Sequence, residues 1–273
     1  MGTSFEELFG IKDEVMMITG GTGSIGFGLS KGLMDLGAKV GIMGTSKEKC
    51  EKRAKELEKE YSEDSYFFVT ADITKEEEVT AATEAIYSHF GKIDGLINAA
   101  GINVIDRLEA ISMDDFNWVM NINFTGMVIA CRAAGKYMLE AGKGRIINIS
   151  SLSSVEGKSY YTAYASSKAA INSFTRALAI EWAKKGINVN ALCPGMIITD
   201  INRKQYEDNP ERLAVRVATI PRGVAGRIEW LLSPVVMLLS PGSAHLTGQA
   251  IFVDGGSSAG STFVLDTKRF ENK

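Results

Sequence analysis

Tyr164 and Lys168 stand four residues apart in the alanine-rich run Tyr164 to Trp182, whose apolar spacing predicts a long helix. A phenol and an ammonium therefore share one helix face, one turn apart. A phenol with a pKa near ~10 releases its proton at neutral pH only if its surroundings remove about 4 kcal/mol of that cost. A cation within roughly 4–6 Å supplies much of this, and a second positive charge would supply more. Tyr164 would then serve as a general acid or base. Ser151 precedes it by thirteen residues and follows the predicted strand Arg145–Ser150, where open α/β sheets place their ligands. Its hydroxyl could hydrogen-bond an oxygen held beside the tyrosine. Tyr and Lys at this spacing also occur on ordinary solvated helix faces, so the pairing alone leaves both readings open.

The elements that must position these groups are legible from the N-terminal side. Val15–Thr19 reads as a short strand, Gly20-Gly21-Thr22-Gly23-Ser24-Ile25-Gly26 as a turn, and Ile25, Leu29, Leu33 and Leu36 as the apolar stripe of a helix. Glycines let backbone approach a pyrophosphate, and a helix N-terminus offers free N–H groups, so this turn predicts a dinucleotide site; a purely structural turn is the alternative. A second strand, Lys39–Met43, leads to Gly44-Thr45-Ser46-Lys47, where NAD-binding folds usually carry an acid for the ribose hydroxyls. Hydroxyls beside a lysine suit a 2′-phosphate better, which favours NADP(H) over NAD(H). Thr45 and Ser46 are equally suited to cap the charged helix Lys47–Glu60.

Tyr66–Val69 is a third strand ending at Asp72-Ile73, and a helix bearing Val79, Ala82, Ile86 and Phe90 leads to a fourth, Ile93–Ile97, which runs into Asn98-Ala99-Ala100-Gly101. Strands alternating with amphipathic helices imply a three-layer, doubly wound parallel sheet of Rossmann-like α/β type. No linker or shift of composition divides residues 1–273, so a single domain is expected. Met113–Ala141 reads as one long helix with Asn121-Ile122-Asn123 in its middle; such an asparagine must bond backbone locally or reach a site. Ile187–Leu192 is a sixth strand broken by Cys193-Pro194-Gly195. Met196–Pro221 reads as irregular and placed to be a lid, with Arg203, Lys204, Arg212 and Arg216 against Glu207, Asp208 and Glu211. Those cations favour an anionic substrate, or are the charged faces of surface helices. A last helix, Ile228–Leu239, and a last strand, Gln249–Val253, end at Asp254-Gly255-Gly256, and 257–273 reads as a tail with one short extended piece, Phe263–Leu265.

At 45% apolar and 23% charged residues the composition is that of an ordinary soluble globular protein. A net charge of −3 gives no basic face for nucleic acid, and no apolar run approaches a membrane span. Met1–Glu14 carries no secretory pattern, so a cytoplasmic protein with no membrane partner is expected. Cys50, Cys131 and Cys193 are odd in number and far apart, which argues for reduced thiols. His89 and His245 have no neighbours at ligand spacing, and no metal site is expected.

Thr19-Gly20 through Gly26, Asp72, Asn98–Gly101, Asn123, Ser151, Tyr164, Lys168 and Pro194-Gly195 occur together and in order, and on them the chain resembles the short-chain dehydrogenase/reductase family from about Leu8 to Gly256. The resemblance implies an oxidoreductase that interconverts a secondary alcohol and a ketone with NADP(H) or NAD(H). By it, Tyr164 is the acid/base, Ser151 holds the substrate oxygen, Lys168 binds the nicotinamide ribose and lowers the tyrosine pKa, and Asn123 anchors a water of the proton relay. Gly20, Thr22, Gly23, Ser24, Ile25 and Gly26 would cradle the phosphates, with Thr45 and Ser46 beyond them. Asp72 and Ile73 would meet the adenine, Asn98, Ala99, Ala100 and Gly101 would support the cofactor, and Pro194, Gly195, Ile197 and Thr199 would hold the carboxamide.

The chain departs from the family pattern in three places. Ser24 stands where compact members carry glycine, Gly23 gives the spacing of longer members and lacks the basic residue common in NADP-preferring ones, and Ala99 replaces an asparagine. Sugar, polyol and sugar-acid dehydrogenases, 3-oxoacyl-carrier-protein reductases and hydroxysteroid dehydrogenases share this compact form, and the cations of 196–221 favour a small polar compound such as a sugar acid. A nicotinamide-binding regulator without chemistry is the alternative, opposed by the four intact catalytic positions. The resemblance also implies a dimer or tetramer packed through Met113–Ala141 and Tyr164–Trp182, with Ala165, Ala169 and Ala177 permitting close approach.

Overall fold

Short apolar segments, the inner ones buried on both faces and the two edge ones half-buried, set the architecture. They form the strands β1 (Val15–Thr19), β2 (Lys39–Gly44), β3 (Tyr66–Thr70), β4 (Gly95–Asn98), β5 (Gly144–Ile149), β6 (Ile187–Pro194) and β7 (Ala250–Val253). The computed structural model describes residues 4–260. All neighbouring strands are parallel, in the order β3-β2-β1-β4-β5-β6-β7. The chain's direction of travel across the sheet reverses between β1 and β4, which opens a crevice at the strands' C-terminal ends.

Alternation within β1 sorts the two faces. Met17 packs with Val79, Ile86, Ala134 and Ile171, which belong to α4 (Glu76–Phe90), α6 (Gly126–Ala141) and α7 (Thr162–Trp182). Met16 and Ile18 pack on the other face with Leu29, Leu33, Leu231 and Val235, from α2 (Ser24–Asp35) and α10 (Glu229–Leu239). A charged helix, α3 (Lys47–Leu57), stops three residues before the expected Glu60. Before the sheet, the unforeseen α1 (Phe5–Phe9) is held by a reciprocal Ser4–Glu7 capping box.

Three departures from the sequence expectations bear on the site. The helix expected over 113–141 is α5 (Met113–Met120), a π-turn at Asn121–Thr125 and then α6. One extra residue per turn lets Asn123 face inward, and Gly126 then lies so close to Ile73 that a Cβ would come within 2.8 Å of its Cγ1. Strand β6 is not broken at Cys193 but runs through Pro194, because β5 ends opposite Leu192 and the missing proline N–H breaks no bond to it. The stretch 196–221 is not irregular: it carries α8 (Asp200–Glu207) and α9 (Pro210–Ala218). Thr199 begins the first of these helices, and Asn209 with Pro210 begins the second, the Asn209 side chain accepting from the Arg212 N–H. The expected extended piece Phe263–Leu265 lies outside the described residues. Among those residues no helix is long and apolar enough to cross a membrane.

Candidate active site

Six successive strand ends deliver the predicted site residues to one edge of the sheet. The glycine turn follows β1, Thr45 and Ser46 follow β2, Asp72 and Ile73 follow β3, Asn98–Gly101 close β4, Ser151 follows β5, and Pro194–Thr199 follow β6.

In the first turn Gly20 takes φ +63°, and a Cβ there would lie 2.6 Å from the Ala100 backbone; at Gly26 it would lie 2.5 Å from the Gly20 carbonyl. Backbone thus comes as near to backbone as it can, and α2 begins at Gly23 with no side chain capping its N–H groups. An uncapped, closely packed helix N-terminus with a positive dipole end fits a dinucleotide's pyrophosphate. Thr22 leans over Gly44, where a Cβ would meet its Cγ2 at 2.6 Å. Position 44 therefore has no room for a ribose-binding acid. Thr45 is exposed, and Ser46 accepts from the Lys49 N–H at 3.3 Å, so Ser46 performs the capping role the sequence allowed it. Arg53, hidden among the charges of α3, was not foreseen. Its Nε donates to the Thr22 carbonyl at 3.4 Å, its guanidinium lies 4.1 Å from the Phe27 ring centroid, and it pairs with Glu56. Only its place on the helix face turned toward α2 could have signalled it.

Asp72 uses Oδ1 to accept from both the amide and hydroxyl of Thr74, and these bonds hold its carboxyl below the ordinary range. Ile73 is buried against Gly126, so it can meet a ligand only through its backbone. Asn98 lies in a buried chain: its Nδ2 donates to Asn148 Oδ1 at 2.9 Å, and Asn148 Nδ2 donates to Thr175 Oγ1 at 2.9 Å. These bonds lock the ends of β4 and β5 to α7.

Lys168 is 4% exposed and its Nζ donates to the Ile149 carbonyl at 2.8 Å, while Ser150 Oγ donates to the Lys168 carbonyl at 3.0 Å. Strand β5 and helix α7 are thereby pinned to one another. Lys168 Nζ sits 5.5 Å from the Tyr164 ring centroid. At Gly101 a Cβ would lie 3.4 Å from Asn123 Oδ1 and 3.5 Å from Lys168 Nζ, which places the end of the β4 loop, the π-turn and α7 in one cluster. Asn123 is consumed there: Oδ1 accepts from the Ile102 N–H, and Nδ2 donates to the Ile102 carbonyl and to Ser167 Oγ. Ser151 caps a short turn by accepting from the Ser153 N–H, and its side chain lies near enough to the Tyr164 phenol to act on its pKa.

Electrostatically the pair differs from the expectation drawn from its spacing. Burial raises the Tyr164 phenol above its ordinary value, the Ser151 side chain opposing and Tyr161 adding to the rise. Burial also pushes the Lys168 ammonium down to about 8. The ammonium lies under the ring, bonded to a carbonyl, so it does not depress the phenol as a cation beside the oxygen would. A neutral phenol near a serine hydroxyl, over a buried amine, can donate a proton to an oxygen placed between the two hydroxyls.

Beyond this cluster, Pro194 closes β6, Gly195 donates to the Val253 carbonyl at 3.0 Å, Ile197 is buried beside Gly226, and the Thr199 N–H bonds Asn202 Oδ1 at 2.8 Å. A cavity of about 540 Å³ lined by Met196, Ile197, Trp230 and Asp254 lies against this loop and holds none of the four catalytic candidates.

Residues 14–210 match the family described as short chain dehydrogenase. The chain belongs to that family. It is 34% identical to the glucose 1-dehydrogenase of Gluconobacter oxydans (strain 621H), over 88% of this chain and 90% of that one. It is equally identical, 34%, to 2-(S)-hydroxypropyl-CoM dehydrogenase 3 of Xanthobacter autotrophicus (strain ATCC BAA-1158 / Py2), over 91% of this chain and 98% of that one. A solved gluconate 5-dehydrogenase from Burkholderia cenocepacia J2315, in complex with NADP and tartrate, superposes with a TM-score of 0.85 at 30% identity, covering 93% of this chain and 98% of that one. This short-chain dehydrogenase is an oxidoreductase that interconverts an alcohol and a ketone by hydride transfer with NAD(H) or NADP(H).

Proposed function

We propose that the enzyme acts at a secondary hydroxyl of a small sugar acid or polyol, or on the matching ketone, with NADP(H) preferred over NAD(H). One observation carries the chemistry: Ser151, Tyr164 and Lys168 converge where β5 meets α7, on the crevice edge that also holds the glycine turn. Ser151 Oγ orients the substrate oxygen, and Tyr164 Oη gives it a proton in reduction and recovers one in oxidation. Lys168, held by Ile149, directs its remaining N–H donors at the nicotinamide ribose. When bound, the nicotinamide supplies or accepts the hydride. Because the amide of Asn123 is already engaged, anchoring of a relay water falls to the backbone of its π-turn.

NADP(H) is favoured by the crowding that keeps an acid out of position 44 and by Arg53 behind the glycine turn. Asp72, through Oδ2, and the Ile73 backbone meet the adenine. Asn98–Gly101 back the ribose, and Pro194, Gly195, Ile197 and Thr199 bind the carboxamide. Residues 196–221 form the substrate lid. The substrate class is supported by similarity to the glucose and gluconate dehydrogenases. Ala169, Ser173, Ala177 and Ile180 form an exposed stripe along α7, and a homodimer or tetramer packs through it. The three buried free thiols suit a cytoplasmic protein.

The test is a panel of alditols, aldonates and their keto forms, run separately with NADP(H) and NAD(H), on wild type and Tyr164→Phe. Turnover by the variant is expected to fall about 100- to 10,000-fold while dinucleotide affinity changes less than about threefold. A wild type inert across the panel would overturn the proposed substrate class, and an active Tyr164→Phe would remove the tyrosine from the chemistry.

A further inference from the structure

Between Ser151 and Tyr164 the chain builds an aromatic step beside the catalytic phenol. The Tyr161 ring meets the Tyr164 ring edge-on, with centroids 6.3 Å apart, and Lys158 Nζ lies 4.8 Å from the Tyr161 centroid. A turn in which the Tyr161 N–H donates to the Lys158 carbonyl at 3.2 Å holds that stack together. Within that turn Tyr160 takes φ +71°, a conformation costly for a bulky side chain. The Tyr160 carbonyl accepts from the Asp106 N–H at 3.1 Å, which ties the turn to the loop after β4. The conformation is thus held from outside the turn, at the mouth of the site.

The last turn of α9 carries Arg216, whose charge reaches Lys158. Its Nη1 donates to Tyr206 Oη at 2.6 Å, and Tyr206 is buried, so the guanidinium is aimed rather than free to swing. Partial loss of hydration and then the charge of Arg216 hold Lys158 below its ordinary pKa, and Glu156 opposes them more weakly. No carboxylate among the described residues comes within 4.0 Å of either cation, whereas Lys31, Lys75, Lys92, Arg132 and Lys143 each have one. Two cations that act on one another, neither ion-paired among the described residues, repel, and a bound anion relieves that repulsion with charge-assisted hydrogen bonds.

We infer that Lys158 and Arg216 bind the carboxylate of a short hydroxy acid whose reacting hydroxyl lies at Tyr164, and so select sugar acids over the uncharged polyols of the same length. One edge-on ring contact and one cation–ring contact separate phenol from ammonium, a span suited to a molecule of a few carbons. The inference deepens the proposed function and rests on Tyr164 as the proton donor.

The experiment compares aldonates with the alditols of matching length and configuration in wild type, Lys158→Gln, Arg216→Gln and Lys158→Arg, with melting temperatures confirming the fold. The ratio of aldonate to alditol kcat/KM is expected to fall about 10- to 100-fold in each Gln variant, the loss lying in the aldonate KM, and to recover in Lys158→Arg. Calorimetric titration of D-gluconate reads the same site without turnover. The inference is overturned if wild type does not prefer the aldonate, if the Gln variants lose both substrates equally, or if Lys158→Gln binds gluconate as wild type does. A wild type that oxidises none of these compounds, yet binds gluconate in a Lys158-dependent way, would remove the proposed reaction and leave the anion site standing.

Discussion

Burial pulls the Lys168 ammonium down to about 8, and no carboxylate stands within 4.0 Å of it among the described residues. At pH 7 the folded protein still holds it charged, at a cost of up to about 3 kcal/mol, the equivalent of that gap from the ordinary value. Lys168→Met removes this burden and also the bond to Ile149, so a net gain of about 1–2 kcal/mol in stability is expected at pH 7 alongside loss of turnover. The sign follows from proton binding: the folded-state value lies below the unfolded one, so the unfolded chain binds the proton more tightly and stability rises with pH through this window. The wild-type deficit is full below pH 8 and shrinks as pH climbs from about 8 towards 10.5. Denaturant melts of both proteins at pH 7 and pH 10 check it, and a variant less stable at pH 7 would show that the bond outweighs the burial. The pairing of Tyr164 with Lys168 was legible because helix periodicity fixes which residues share a face. The direction of the Tyr164 shift was not, since it depends on how deeply the pair is buried and on where the ammonium points, and spacing encodes neither.

At the scale of elements, the glycine turn was legible from its place between a strand and a helix, but the separate duties of its glycines were not. Gly20 needs its left-handed φ and its closeness to Ala100, so Gly20→Ala is expected to cost about 2–4 kcal/mol and to lose dinucleotide binding with the turn. Gly23 has an extended backbone, φ −77°, at the N-cap of α2, with only the Gly20 carbonyl 3.2 Å from a Cβ. Gly23→Ser is expected to stay within about 1 kcal/mol of wild type while weakening NADP(H) about tenfold or more, because a capping hydroxyl takes N–H groups that would meet phosphate. Thermal melts with fluorescence titration of NADPH separate the two, and equal behaviour of the variants would overturn this division. The π-turn and the helices α8 and α9 escaped the sequence for different reasons. A π-turn has no composition of its own, only an asparagine whose amide finds Ile102. In α8 charges outnumber the apolar positions that would have shown a period, and α9, although amphipathic, has only nine residues in which to show one.

For the molecule as a whole, the parallel sheet and its layering were legible because inner parallel strands buried on both faces must read as apolar runs separated by amphipathic helices, whereas the order of the strands was not. Less legible was the ionic cluster at the N-terminal end of the sheet, away from the site, whose members are scattered in sequence. Asp94 is 4% exposed, accepts from the Val15 N–H at 2.9 Å, and pairs with Lys92 and Lys143 at 2.8 and 2.9 Å, which ties the starts of β1, β4 and β5 together. Burial opposes its charge, but the bonds from Lys92, Lys143 and Val15 prevail and hold it down at about 2. A depressed carboxylate stabilises above its unfolded pKa, so this contribution, about 2 kcal/mol, is whole above about pH 4 and lost as pH falls from there towards 2. Glu14 moves the opposite way, raised by burial and by Asp94, so the comparison must be with a variant rather than with the acid limb alone. Asp94→Asn is expected to melt lower than wild type at pH 7 and to lose less on acidification, the two stability curves converging as pH approaches 2. Curves that stay parallel across that window would mean that Asp94 holds the sheet through its shape and hydrogen bonds, with its charge contributing nothing.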